Sequence, residues 1–189
     1  MRKLNLPETF PVLKSERLLL RELVSADAPA FFELRSNPEV MRFILKPLHK
    51  TVEDTLAVIS EYATAYAKFE NISWAICLKE DPARMIGSMG YYRTDLANFK
   101  AEVGYLLHPD HWGKSYVSEA LKIVLDYGFN TLGLHKIFAN YSPDNGASRQ
   151  VLLKTGFERE GLLKDNLYFE GVFYDTEICG LIAPIEKNK

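Results

Sequence analysis

Hydrophobic residues recur along the chain at two spacings, and each spacing predicts one kind of secondary structure. Apolar side chains three or four positions apart share one face of a helix. They predict a short helix opened by Pro38 and four longer helices, over residues 25–34, 51–69, 114–131 and 145–155. Shorter apolar runs bounded by turn residues predict seven strands, over 17–23, 72–78, 84–92, 100–107, 136–141, 157–168 and 172–182.

The order of these elements indicates a mixed α/β (α+β) fold. A strand is followed by helices, three strands, a helix, a strand, a helix and two final strands, with no repeat or low-complexity segment between them. This order predicts one central sheet of about seven strands with about four helices on its two faces. A length of 189 residues is typical of one domain, so we expect residues 1–189 to form a single domain.

Charge and cysteine usage narrow the range of functions. The 23 Lys and Arg residues against 25 Asp and Glu residues leave a net charge of −2, which disfavours nucleic acid as a partner. No apolar run reaches the length of about 18 residues that spans a bilayer, so no membrane partner is expected. Cys77 and Cys179 lie far apart within apolar runs, which predicts buried free thiols and a cytoplasmic location.

The most informative stretch runs from Val103 to Val117, where a predicted strand passes through a short turn into an amphipathic helix. The first turn of a helix has backbone amides without partners and a partial positive charge, so it favours a phosphate or pyrophosphate. Gly113 allows close approach of the backbone, and Lys114 adds a full charge. A plain strand-to-helix turn fits these residues equally well. A P-loop does not fit, because that motif requires a glycine five residues before Gly113, and this position is His108.

Three short motifs stand in the order and spacing of a known family. They are SERLLLR at 15–21, WGKSYVSEAL at 112–121, and NGAS at 145–148 followed by KTGF at 154–157. The second resembles the acetyl-CoA pyrophosphate loop and following helix of the GNAT N-acetyltransferases, and the third is similar to another motif of that family. The first resembles the RimJ/RimL-like branch, which acetylates the N-termini of ribosomal proteins. The resemblance implies a GNAT fold whose central sheet is splayed at the cofactor site.

The resemblance also implies a site. Acetyl-CoA is the expected cosubstrate, with its pyrophosphate at the loop, its pantetheine arm at Asn145 and its acetyl carbonyl at backbone amides of the central strand. The cofactor-binding residues implied in this way are Leu106, Leu107, Trp112, Gly113, Lys114, Ser115, Tyr116, Val117 and Asn145. No metal is expected, because no cysteine or third histidine completes a metal-binding set with His108 and His111.

Two positions depart from the family pattern. Ser115 stands where a glycine is usual, and its Cβ would crowd the backbone if φ were positive there. Leu152 stands where many members have a tyrosine that serves as general acid, which leaves the Ser148 hydroxyl for that role. Ser148 is explained equally well as a polar residue in the first turn of a helix capped by Asn145. Glu102, at the start of the central strand, is the candidate base; solvent, or a purely structural carboxylate, is the alternative. Glu160 and Asp175, in the two C-terminal strands, are weaker candidates for the same role.

We therefore predict an acetyl-CoA-dependent N-acetyltransferase that transfers acetyl directly to a primary amine. A protein N-terminal α-amine of the ribosomal-protein type is the expected acceptor. One alternative is acetylation of a small amine such as a polyamine, an amino acid or an aminoglycoside. Another is an acyl-CoA-binding module without turnover, which Ser115 and Leu152 keep open. Members of the family are often dimers, so a homodimer is a further expectation.

Overall fold

A single sheet of eight strands runs through the computed structural model, which describes residues 4–184. The strands are β1 (Leu13–Lys14), β2 (Leu18–Glu22), β3 (Ile72–Leu78), β4 (Asp81–Asp95), β5 (Lys100–Leu107), β6 (Lys136–Tyr141), β7 (Glu158–Phe169) and β8 (Val172–Ile182). Their order in the sheet is β1-β2-β3-β4-β5-β6-β8-β7. Every neighbouring pair is antiparallel except β5 and β6, which run parallel.

Helices cover both faces of the sheet. They are α1 (Ala28–Arg35), α2 (Pro38–Met41), α3 (Val52–Ala67), α4 (Tyr116–Asp126) and α5 (Gly146–Lys154). The alternation of side chains along β3 separates two apolar layers. Trp74 and Ile76 belong to the core that contains Leu121 of α4, whereas Ala75 and Cys77 belong to the core under α1 and α3. The apolar spacing that predicted the helices therefore corresponds to the faces that pack on the sheet.

The parallel strands β5 and β6 pair over three residues only, Lys100–Glu102 with Lys136–Phe138. Beyond that point β5 remains paired with β4, and β6 remains paired with β8, to the ends of the strands. An extra residue in β4, Tyr92, interrupts the β4–β5 register opposite the point of separation. Such a bulge bends its strand and increases the local twist. The sheet is therefore splayed between β5 and β6, as the resemblance implied.

The predicted fold class is confirmed, with three differences in detail. The strand β1 has only two residues, too few for an alternating pattern to reveal it. The strand β4 begins at Asp81, within the segment 80–83 that was expected to form a turn. The helix predicted over 114–131 changes at Tyr127 into a π-helix, where the Tyr91 hydroxyl donates to the Val124 carbonyl (2.6 Å) and competes with the helical hydrogen bond.

The short helix predicted after Pro38 is α2, a single turn over Pro38–Met41, and with it the described helices number five where about four were expected on the sheet faces. Its Asn37 side chain accepts a hydrogen bond from the Glu39 amide (2.8 Å) and caps the turn. Within residues 4–184, no helix has the length and apolar character needed to cross a bilayer.

Candidate active site

A cavity of about 800 Å³ opens where β5 and β6 separate. Its wall contains Glu102 and Tyr105 from β5, and Asn145 and Ser148 at the start of α5. The segment 42–46, which follows α2, and the hairpin of β7 and β8 line its other sides. The structure therefore brings both predicted catalytic residues to one cavity, whereas the loop 112–117 lies outside its lining.

The backbone of β5 turns alternate amides towards the cavity side. The His108 amide donates to the Ile86 carbonyl of β4 (2.8 Å), and Leu107 faces Gly87 in the same register. Because hydrogen-bonded and non-hydrogen-bonded pairs alternate in an antiparallel ladder, the Leu107 amide points away from β4. The Leu106 amide points to β4, so only one of the two predicted backbone donors is turned to the cleft. The Tyr105 amide points in the same direction as the Leu107 amide, because backbone amides alternate in direction along a strand.

The loop before α4 has an unusual backbone. Gly113 has φ +73°, and Ser115, the N-cap residue of α4, has φ +63° and ψ +14°. No side chain caps this end of α4, in contrast to Thr51 on α3 and Asn145 on α5. The first amides of α4 are therefore left for an anionic ligand at the positive end of the helix dipole. This uncapped turn fits the pyrophosphate that the resemblance implied.

The other predicted loop residues have structural contacts as well. The Trp112 indole donates to the Leu107 carbonyl (2.8 Å) and ties the loop to the end of β5. Tyr116 and Val117 pack their side chains against the core, so only their backbone is free to meet a ligand. Lys114 is exposed, which leaves its ammonium in reach of a bound anion.

An ion pair that the sequence prediction missed braces this loop. Glu119 on α4 accepts hydrogen bonds from the Ser15 hydroxyl (2.7 Å) and from the Arg17 side chain (2.7 Å). Arg17 also donates to the Lys114 carbonyl (3.1 Å), and its guanidinium lies 4.5 Å from the ring centre of Tyr116. Burial opposes the charge on Glu119, but the bonds from Ser15 and Arg17 outweigh it and lower the pKa of this carboxyl. The motif SERLLLR contained the signal, since it holds both donors.

Ser148 is held at the mouth of α5. Its amide donates to the Asn145 side chain (3.0 Å), so Asn145 caps the helix as expected. The Tyr105 hydroxyl lies 3.5 Å from the Ser148 carbonyl oxygen. Burial raises the pKa of Tyr105 to about 12, so its phenol stays protonated. The structure places the Tyr105 hydroxyl on the cavity beside Ser148, a contact that the motifs do not reveal.

Glu102 lies at the point where β5 and β6 part, with 14% of its side chain exposed. Burial raises the pKa of this carboxyl, against the opposing effects of Arg93, whose Nη1 lies 3.1 Å away, and of Asn140. A glutamate with a raised pKa is a stronger proton acceptor than a free one. Glu160, a weaker candidate for the base, lies outside the cavity lining and pairs with Lys136 (2.6 Å).

Two other kinds of chemistry find no support in the structure. Among residues 4–184, no three His, Cys, Asp or Glu side chains come together as a metal site would require. Both cysteines are free and buried, as predicted. Burial raises the pKa of Cys77 and that of Cys179 to about 11, so neither presents a thiolate nucleophile near neutral pH.

Comparison with known proteins agrees with this geometry. A family model described as an acetyltransferase (GNAT) domain matches residues 17–158. The uncharacterized N-acetyltransferase YoaA of Bacillus subtilis (strain 168) is 36% identical over 177 residues, 94% of this chain and 99% of the relative. The ribosomal protein uS5-alanine N-acetyltransferase of Escherichia coli (strain K12) is 33% identical over 105 residues, 55% of this chain and 54% of the relative.

A solved structure also has the same fold. It is described as RimL, a ribosomal L7/L12 alpha-N-protein acetyltransferase in complex with coenzyme A. Its TM-score is 0.83, and the match covers 92% of this chain and 98% of that chain. At 19% sequence identity, this likeness concerns the fold alone.

Replacing Ser115 by glycine will stabilise the protein. At φ +63° the Cβ of serine crowds the backbone, whereas glycine has no Cβ. We therefore expect Ser115→Gly to raise the free energy of unfolding by about 1 kcal/mol. Ser118→Gly, the same change inside α4, is the matched control and will lower the free energy of unfolding by about 0.5 kcal/mol. Urea unfolding of the three proteins measures both values. A loss of stability in Ser115→Gly would show that the serine hydroxyl holds the loop.

Proposed function

The chain belongs to the GNAT family of acetyltransferases and transfers acetyl groups, and from that premise we propose that it acetylates a protein N-terminal α-amine with acetyl-CoA. One observation carries the proposal: where β5 and β6 separate, the Ser148 hydroxyl and the Glu102 carboxylate line one cavity. The unpaired edge of β5, which borders this cavity through Tyr105 and Leu106, carries the Leu107 amide. A carbonyl-stabilising donor, a proton donor and a proton acceptor are what amide formation from a thioester requires.

The cofactor residues fit acetyl-CoA, which supplies the acetyl group as a thioester when it is bound. The uncapped start of α4, with Gly113 and Ser115 at positive φ, would hold the pyrophosphate. Lys114 would add a charge, and Asn145 would lie beside the pantetheine arm.

The chain's own groups divide the proton transfers between them. Glu102 takes a proton from the acceptor nitrogen, which must be neutral to attack the acetyl carbon. The Leu107 amide donates to the acetyl oxygen as negative charge grows on it. Ser148 gives a proton to the departing sulfur, and a weak acid suffices because a thiol has a pKa of only about 8.5. Transfer is direct, since neither cysteine provides a nucleophile for a covalent intermediate.

The choice of an α-amine rests on the cost of deprotonation. An α-amine has a pKa of about 8 and a lysine amine one of about 10.4. At pH 7 these values correspond to about 1.4 and 4.6 kcal/mol, so a lysine would need a far stronger base. A single glutamate beside Arg93 suits the smaller cost. The relative that acts on a ribosomal protein alanine supports the same class of acceptor.

Small polycationic amines are a poorer fit. An acidic cleft would favour a polyamine or an aminoglycoside, because those acceptors carry several positive charges. The cavity instead has four cations, Arg35, Arg42, Lys46 and Arg93, against three carboxylates, Glu102, Asp144 and Asp175. An acyl-CoA-binding module without turnover also loses support, because relatives across the chain's length are named N-acetyltransferases. A cytoplasmic location, consistent with two free cysteines, and a homodimer stay predictions.

Isothermal titration of CoA and acetyl-CoA tests the cofactor site. We expect micromolar binding, and Gly113→Pro will weaken it by at least about tenfold, because proline cannot adopt φ +73° and lacks an amide hydrogen. Gly171→Pro is the matched control, since Gly171 has φ +87° in the turn between β7 and β8 and lies outside the cavity lining. Unchanged affinity in a folded Gly113→Pro protein would place the pyrophosphate elsewhere.

Glu102→Gln tests the base. We expect the variant to lose about 10²–10⁴-fold in kcat, the usual contribution of a general base. In the parent, kcat will fall as pH decreases through a value above the ordinary pKa of glutamate, because burial raises the pKa of Glu102. The variant will lack this acidic limb. Glu160→Gln is the control and should keep both the rate and the limb; a limb that survives in Glu102→Gln would assign deprotonation to solvent.

Ser148→Ala tests the acid, with Tyr105→Phe beside it because the two residues touch. If Ser148 protonates the sulfur, its alanine variant loses about 10²-fold or more in kcat, with the larger loss at higher pH. Tyr105→Phe should then cost less than Ser148→Ala. Full activity of Ser148→Ala across pH 7–9 would remove the serine from the mechanism, and a larger loss in Tyr105→Phe would give the role to the phenol.

A further inference from the structure

Three positively charged side chains on the cavity wall, Arg35, Arg42 and Lys46, lack acidic partners within ion-pair distance among the described residues. We propose that the acetyl acceptor bears an anionic group, a carboxylate or a phosphate, which binds to the cationic cluster formed by Arg35, Arg42 and Lys46. This inference rests on the proposed acetyl transfer and adds the chemical class of the acceptor. The two sources of such a group are a small amine with an acidic end and a peptide with an acidic side chain near its N-terminus.

Arg35 is the centre of the cationic cluster. It ends α1, lines the cavity and is only 6% exposed. Its Nε donates to His49 Nε2 (3.2 Å), so this ring nitrogen is unprotonated and Nδ1 carries the hydrogen beside Thr55 Oγ1 (2.7 Å). Burial and the charge of Arg35 lower the pKa of His49, which keeps the ring neutral. The hydrogen bonds between Thr55 and His49 and between His49 and Arg35 therefore hold the guanidinium at Nε. Its two terminal nitrogens remain for another partner.

The cationic cluster lacks that partner within the protein. Among residues 4–184, no carboxylate oxygen lies within 4.0 Å of the charged nitrogens of Arg35, Arg42 or Lys46. Elsewhere the fold does pair its sheltered guanidinium groups: Arg21 makes two hydrogen bonds to Asp27, at 2.7 and 2.8 Å. A buried charge without a counter-ion is costly, so an anion from a ligand would be bound strongly there.

The surroundings of the cationic cluster leave its charge uncompensated. Removal from water, and then the nearby charges of Arg35 and Arg93, lower the pKa of Lys46. The Glu61 carboxylate raises this pKa, but it does not form an ion pair with Lys46. Removal from water raises the pKa of the two phenols near Arg35, those of Tyr62 and Tyr92, so both stay neutral. Arg35 is the buried member of the cluster, whereas Arg42 and Lys46 are exposed, so the demand for an anion from a ligand is centred on Arg35.

The position of the cationic cluster suits a two-ended acceptor. Arg93 is already paired with Glu102, which we assign to the amine end of the cavity. A guanidinium presents a planar fork of donors that matches a carboxylate or a phosphate with two hydrogen bonds. Arg35 and Glu102 line the same cavity. We therefore expect an acceptor bound to Arg35 by its anionic end to place its amine at Glu102.

Matched acceptor pairs test the proposal. The pairs are the peptides Ala-Glu-Ala amide and Ala-Gln-Ala amide, 4-aminobutyrate and its amide, and phosphoethanolamine and ethanolamine. Acetylation is followed with acetyl-CoA, and binding of each amine to the CoA-loaded protein is followed by calorimetry, which needs no turnover. We expect the anionic member of at least one pair to be favoured by about tenfold or more, both in kcat/KM and in affinity.

Two variants assign the preference to the cationic cluster. Arg35→Gln should reduce the preference to near one, and Lys46→Gln, at a more exposed position, should reduce it severalfold while the protein stays folded. Lys68→Gln is the matched control, an exposed lysine outside the cavity lining that should change nothing. A preference in the peptide pair alone identifies an acidic N-terminal segment as the source, and one in the small pairs alone identifies a small amino acid or aminophosphate.

The outcomes separate this inference from the proposed function. Acetyl transfer without preference for any anionic member would overturn the inference and leave the transferase assignment intact. Binding that prefers the anion and depends on Arg35, without transfer to any acceptor, would support the cationic cluster and count against the proposed N-terminal reaction. Neither binding nor transfer with any anionic amine would overturn the inference, as would a preference that Arg35→Gln and Lys46→Gln leave unchanged.

Discussion

The short parallel pairing of β5 with β6 is the constraint on which the rest of the site depends. Each strand is bound along its full length to an antiparallel neighbour, and the two meet each other over three residues only. The bulge at Tyr92 lies opposite the point of separation and turns β4 and β5 away together. Beyond Glu102, the edge of β5 lacks a neighbouring strand. The backbone groups on this edge of β5 are then free to bind a ligand, although the strand lies in the middle of the sheet, where hydrogen bonds to a neighbouring strand would otherwise occupy them.

The start of α4 has a backbone conformation that its own sequence does not favour. A serine at φ +63° and a helix end without a side-chain cap are both unfavourable for an isolated helix. The fold holds them from outside, through Arg17, Glu119 and the Trp112 indole. Strain that persists because the surroundings fix it is typical of binding sites. We therefore expect the affinity of this turn for an anion to depend on Arg17 and Glu119 through the backbone conformation that they fix.

The sequence was sufficient for the order of elements and for the motifs, because both depend on local periodicity and on short segments. Asn145 and Ser148 lie one helical turn apart, and the structure confirms the cap between them. The direction of the Leu106 amide was not predictable from the motif, because it depends on the register between β4 and β5. The contact of the Tyr105 hydroxyl with Ser148 was not predictable for a related reason: an aromatic residue in a strand is typical of a core, and the cavity beside it exists only because β5 and β6 separate.

Arg35 illustrates the limit of pattern analysis most clearly. It occupies the last turn of α1, where a basic side chain is favoured by the helix dipole and needs no further explanation. Its meaning changes only when burial and neighbours are known, because a surface arginine costs nothing whereas a buried one requires an anion. The residues His49 and Thr55, which hold it, lie outside all three family motifs. The motifs therefore indicate the fold and the expected acetyl donor, whereas the acceptor selection that we propose depends on side chains that only the tertiary structure brings together.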